Sequence, residues 1–105
     1  MTLSILWGSL FRMAGLPYRL LIEDRAEKFL LRLDPKPYKQ LAARIFRLSS
    51  DPRPADTRPL KGYSGLWAVD QGEFRIVYAI FDNERLIVVR RAGKRNDDEV
   101  YKGLK

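Results

Sequence analysis

Phe74-Arg75-Ile76-Val77-Tyr78-Ala79-Ile80-Phe81 is the stretch on which the fold turns. On an extended chain, Phe74, Ile76, Tyr78 and Ile80 share one face, and Arg75, Val77, Ala79 and Phe81 share the other. Both faces are mostly apolar, so residues 73–82 read as a central strand covered on both sides. Arg75 is the one charge from Phe74 to Phe81, and the only basic residue between 62 and 84, where four acidic residues stand. A lone arginine in an acidic, apolar stretch points to a task more clearly than another lysine on a helix surface.

Two more strands flank it, at about 65–70 and 85–92, with Gln71-Gly72 and Asp82-Asn83 as tight turns. On the first, Trp67 and Val69 point one way and Leu66, Ala68 and Asp70 the other. Beyond Gly93 the chain turns, and Asp97-Asp98-Glu99 favours the start of a short last helix ending at Val100-Tyr101. On the N-terminal side, residues 18–22 read as a strand. Asp24 with Glu27 has the spacing of a capping box, so a helix is expected from Asp24 with Ala26, Phe29, Leu30 and Leu33 inward. Asp34-Pro35-Lys36-Pro37 stops it and opens a second helix whose apolar face is Tyr38, Leu41, Ile45 and Leu48. Residues 49–61, with Pro52, Pro54 and Pro59, form a basic loop. The expected fold is α+β: an N-terminal strand and a helical hairpin packed on a mostly antiparallel four-stranded sheet, with a short C-terminal helix.

The chain has 105 residues, enough for one domain with a modest core. Its net charge of +7 implies a polyanionic or acidic partner. The charge is concentrated: residues 36–61 carry net +5 and residues 85–105 net +4. Cysteine and histidine are both absent. Disulfides, thiolate chemistry and the usual imidazole base are therefore excluded. The carboxylates show no metal-ligand spacing, so neither a metal nor another cofactor is expected. Any catalysis must use Arg, Lys, Tyr or carboxylates. Residues 1–17 read as an extension, with Met13 an alternative start, and residues 18–105 as the domain. The extension lacks the basic start of a secretory signal and is too short to span a bilayer, so a cytoplasmic protein is expected.

The strand order, together with Leu60-Lys61-Gly62, Gly65-Leu66-Trp67, Phe74-Arg75-Ile76-Val77-Tyr78, Gly93-Lys94-Arg95 and Val100-Tyr101, resembles the RelE/ParE superfamily of type II toxin–antitoxin toxins. The likeness covers residues 18–105 and is greatest toward the RelE branch. That resemblance implies a ribosome-dependent endoribonuclease (mRNA interferase) that cuts mRNA in the A site by metal-independent 2′-OH attack and so inhibits translation. The implied partners are the ribosome, mRNA and a cognate antitoxin. Carried over by position, Arg75 and Arg95 bind and neutralise the scissile phosphate, while Tyr101 stacks on a base or positions the attacking ribose oxygen. Lys61, Arg58, Arg91 and Lys94 are the further RNA-binding candidates. The chain departs from the RelE pattern where two strand lysines are usual: Ala68 and Asp70 stand there. Two other roles are compatible with the resemblance, a ParE-like gyrase inhibitor and a degenerate toxin acting only as an antitoxin-binding corepressor.

The residues also admit plainer readings. Arg75 can pair across a hairpin with Asp70 or Glu73, and Tyr101 can be a core aromatic with a wet hydroxyl. Arg90 and Arg91, as neighbours on a strand, are expected on opposite faces.

Overall fold

The computed structural model describes residues 17–104. The expectations for residues 1–16 lie outside the described residues. The elements are β1 (Arg19–Ile22), α1 (Asp24–Leu31), α2 (Pro35–Ser50), β2 (Arg58–Pro59), β3 (Leu66–Gln71), β4 (Phe74–Phe81), β5 (Leu86–Lys94) and a 3₁₀ turn (Asp98–Tyr101). The sheet runs β1-β5-β4-β3-β2, with β1 parallel to β5 and every other pair antiparallel. It has five strands where four were expected. The extra one is a two-residue pairing of Arg58 with Ala68 and Pro59 with Trp67. A proline there is tolerated because β2 is an edge strand and needs no second ladder.

As its pattern requires, β4 is central, and its two faces make two cores. Phe74, Ile76 and Tyr78 pack with Leu41, Ile45 and Leu48 of α2 and Ala26 and Leu30 of α1. Truncating any of the three fully buried α2 side chains to alanine costs about 2–5 kcal/mol. Tyr38, one turn earlier, is 40% exposed, so the buried stripe of α2 begins only at Leu41. The opposite face holds a smaller cluster of Leu66, Val77, Ala79, Val100 and Leu104, with Leu60, Tyr63 and Tyr101 at its margin. The C-terminal turn thereby covers the face that the helices leave open. It lies tight on the sheet: a Cβ at Gly93 would stand 3.1 Å from Val100 Cβ.

Two local expectations are corrected. Glu23, not Asp24, occupies the cap position of α1, and its side chain makes no capping bond. Instead it accepts from Arg90 Nε at 2.9 Å, an ion pair that competes with capping. Asp24 and Glu27 sit in the first helical turn, where the helix dipole favours them. The second correction concerns Arg90 and Arg91. Val77 pairs with Arg91 but Tyr78 pairs with Val89, so Arg90 is the extra residue of a β-bulge. The bulge brings both guanidiniums to Glu23, at 2.9 and 3.6 Å.

Candidate functional site

On the sheet face away from the helices, one carboxylate gathers three guanidiniums. Asp70 and Arg75 are register partners in the β3–β4 hairpin, two pairs from which Gly72, at φ 61°, makes the turn. Arg75 donates from Nε to Asp70 Oδ1 at 2.8 Å and from Nη2 to Oδ2 at 3.4 Å, a two-pronged contact. Arg58, from β2, donates to Oδ2 at 3.2 Å. Arg95, just beyond β5, reaches the same oxygen at 3.8 Å. It is placed by its own backbone N–H, which bonds Glu73 O at 2.9 Å. The plainer reading of Arg75, a cross-hairpin pair with Asp70, is thus present.

Arg75 also does more than pair. Its Nη1 donates to the Tyr101 hydroxyl at 2.5 Å. The C-terminal turn presents that hydroxyl because Asp97 caps it, accepting from Glu99 N at 3.0 Å, and Val100 anchors it in the small core. Tyr101 stacks on Tyr63, with centroids 6.2 Å apart and planes at 19°. Arg58, Pro59, Leu60, Lys61, Tyr63, Arg75 and Tyr101 line a cavity of about 410 Å³. It has aromatic and aliphatic walls and three cationic groups, a combination suited to a nucleotide: rings for a base, guanidiniums and an ammonium for phosphate.

The electrostatics fix the protonation states of the central pair. Burial alone would raise the Asp70 carboxyl, but hydrogen bonds and charge from Arg75 and Arg58 outweigh it and hold the group below the usual carboxylate range. The Asp70 hydrogen bond in turn pushes Arg75 further into its charged range. Arg75 therefore cannot release a proton, and serves as a fixed charge.

The sequence candidates divide in two. Arg75, Tyr101, Arg58 and Lys61 meet at the cavity, and Arg95 joins the Asp70 cluster beside it. Arg91 does not join them: it is 8% exposed and turned toward the Lys102 and Arg90 carbonyls. Burial among Arg25 and Arg90 lowers its pKa. Lys94 points to the other sheet face, where it lines a separate groove with Arg25, Lys28 and Arg32 of the α1 region. Tyr63 was not among the candidates. Its sequence signal is a place between Gly62 and Gly65, and in the structure both glycines take positive φ, at 86° and 77°. Of the two positions that depart from the RelE pattern, Ala68 is fully buried and Asp70 is the hub.

Residues 20–99 match the family model described as the ParE toxin of the type II toxin–antitoxin system parDE. A Methanocaldococcus jannaschii protein assigned as toxin RelE1 is 31% identical over 70% of this chain and 86% of its own length. The Mycobacterium tuberculosis toxin–antitoxin complex RelBE2 contains a chain of similar fold, with TM-score 0.67 and 26% identity, covering 75% of this chain and 99% of that one. A doubly substituted toxin RelE of E. coli in the free state gives the same TM-score and identity, covering 81% and 90%. The chain belongs to the RelE/ParE superfamily of type II toxin–antitoxin toxins.

Proposed function

We propose that this toxin cuts mRNA in the ribosomal A site, with Arg75, Arg95 and Tyr101 as its catalytic groups. The observation that carries the reading is the Arg75–Tyr101 hydrogen bond at the edge of a nucleotide-sized, cation-walled cavity. In the reaction the ribose 2′-OH attacks the adjacent phosphorus, the bond to the 5′ oxygen breaks, and a 2′,3′-cyclic phosphate remains. The 2′ proton passes to solvent. Arg75 and Arg95 stabilise the charge that grows on the phosphate oxygens, as planar guanidiniums do well. The Tyr101 oxygen accepts from Arg75, which leaves its own proton free to be donated to the departing 5′ oxygen. Neither the arginines nor the heavily paired Asp70 makes an effective base. The ribosome compensates by holding the mRNA near in-line geometry, which supplies rate without proton transfer.

A cognate antitoxin is the second partner in this reading. The RelBE relative is a toxin–antitoxin complex. Here Leu31 and Phe46 are 68% and 64% exposed on the helical layer, offering an antitoxin apolar contacts, while its acidic groups meet the basic site. Two observations favour gyrase inhibition as the competing role: the match to the ParE model, and a buried alanine where RelE-like toxins carry a lysine.

A short pulse of expression separates the two. Immediate loss of protein synthesis, with codon-positioned breaks in mRNA and intact DNA, supports the RNA-cleaving role. Gyrase-linked DNA breaks with intact mRNA support the other. Co-expression of the antitoxin is expected to suppress either effect.

A further inference from the structure

Asp70 occupies a position where a cation would serve an RNA-cleaving site more simply, yet the structure gives it a definite place. It stands outside the cavity that Arg58, Arg75 and Tyr101 line, and grips Arg75 from behind. The grip takes Nε–H and one N–H of Nη2, and Tyr101 takes one N–H of Nη1. Among the described residues no other group takes the second N–H of either terminal nitrogen, which a phosphate oxygen could then accept. Asp70 also draws Arg58 to its second oxygen, so two strands and a turn are tied through a single carboxylate.

We propose that Asp70 is a positioning residue: it fixes the Arg75 guanidinium, and through Arg75 the Tyr101 hydroxyl, in the orientation presented to a phosphodiester in the cavity. The role of that phosphodiester rests on the RNA-cleaving reading above; the positioning itself does not. An arginine held by a two-pronged carboxylate has lost its rotamer freedom before substrate arrives, so less is lost on binding. The charge cost is contained, because Arg58, Arg75, Arg95 and Lys61 outnumber the one carboxylate. Two other roles are less compatible with the geometry. A plug competing with phosphate belongs inside the cavity, and Asp70 is not there. A general base must reach the ribose hydroxyl, but Asp70 does not line the cavity, and guanidiniums on both of its oxygens weaken it as a proton acceptor.

The test compares the full chain with Asp70→Asn, which keeps the size but loses the charge and one acceptor. The Arg75 Nε–H signal in ¹⁵N NMR, assigned by its loss in Arg75→Lys, is expected to exchange slowly in the parent and to broaden or vanish in Asp70→Asn. On programmed ribosomes, kcat is expected to fall by about tenfold or more with KM unchanged or lower, equally across pH 6–8. In an Arg75→Ala background, Asp70→Asn should cause no further loss, since Asp70 acts through Arg75. Arg75→Lys, which keeps charge but not the fork, should reproduce the Asp70→Asn kinetics and stands in for it if the asparagine variant does not fold. A lower KM with unchanged kcat would show a competing anion and overturn the proposal. A full further loss in the Arg75→Ala background, with the acid limb of the rate profile abolished, would show a direct base and overturn it too. If the parent cuts no RNA, the RNA-cleaving reading fails separately, and an Nε–H signal that is the same with and without Asp70 still overturns the positioning role.

Discussion

Arg75 and Tyr101, twenty-six positions apart in sequence, meet through a 2.5 Å hydrogen bond from the guanidinium to the phenolic oxygen. The hydroxyl and the ring of Tyr101 can be separated experimentally. Tyr101→Phe removes the oxygen but keeps the stack on Tyr63, so cleavage should fall by about 10²–10³-fold while folding changes by less than about 1 kcal/mol. Tyr63→Ala leaves the oxygen but removes the stack, and should weaken binding of a short oligonucleotide more than that of an abasic analogue. Rapid-quench cleavage and fluorescence titration measure the two effects.

Arg95 offers the cleanest distinction between activity and stability. Its side chain is about half exposed, and among the described residues its one carboxylate contact is the 3.8 Å approach to Asp70. Arg95→Ala should lower cleavage by about 10²-fold yet shift unfolding free energy by no more than about 0.5 kcal/mol. Equal losses in both would identify a structural residue.

What the sequence made legible follows the reach of each signal. Strand alternation around Arg75 is local, so the central strand and its two faces could be read directly. Arg75 stood out because its surroundings were acidic. The hub role of Asp70 could not be read, because its partners come from β2, β4 and the segment after β5, and only the folded sheet brings them together. The Tyr63–Tyr101 stack is likewise a meeting of distant turns. The bulge at Arg90 has no compositional mark, and it redirected one arginine expected at the RNA surface toward the inside.

Gly93 links the sheet to the site through steric contact. Gly93→Ala places a methyl 3.1 Å from Val100 Cβ, so Val100, in the turn that carries Tyr101, must give by a few tenths of an ångström. The expected cost is about 1–3 kcal/mol, together with reduced cleavage. Adding Val100→Ala should restore part of the activity even though it removes core volume. Denaturant unfolding and cleavage assays on the single and double variants check this.

Buried Tyr78 ties β4 to the basic loop, donating to Pro52 O at 2.7 Å and meeting Thr57 Oγ1 at 3.0 Å. Tyr78→Phe should cost about 1–2 kcal/mol by leaving that carbonyl unpaired. Burial raises its pKa, so the neutral form stabilises the fold below the unfolded value near 10 and that contribution is lost as pH rises through the higher folded value. At the acid end the sign is opposite. Arg53 and Tyr18 hold the exposed Asp82 carboxyl down to about 2, and Asp56 and Asp70 are also lowered. Stability from these groups is present above their unfolded pKa and should decline from about pH 4 toward pH 2. Absorbance titration of tyrosinate and melting curves across pH measure both limbs.

The most direct test of an RNA-cleaving site is primer-extension mapping of mRNA on ribosomes with a programmed, empty A site, beside free mRNA and an Arg75→Ala/Arg95→Ala control. The expected result is a discrete cut in the A-site codon that is weak on free mRNA and absent with the control. Intact mRNA at every concentration of a folded toxin that still binds its antitoxin would contradict it.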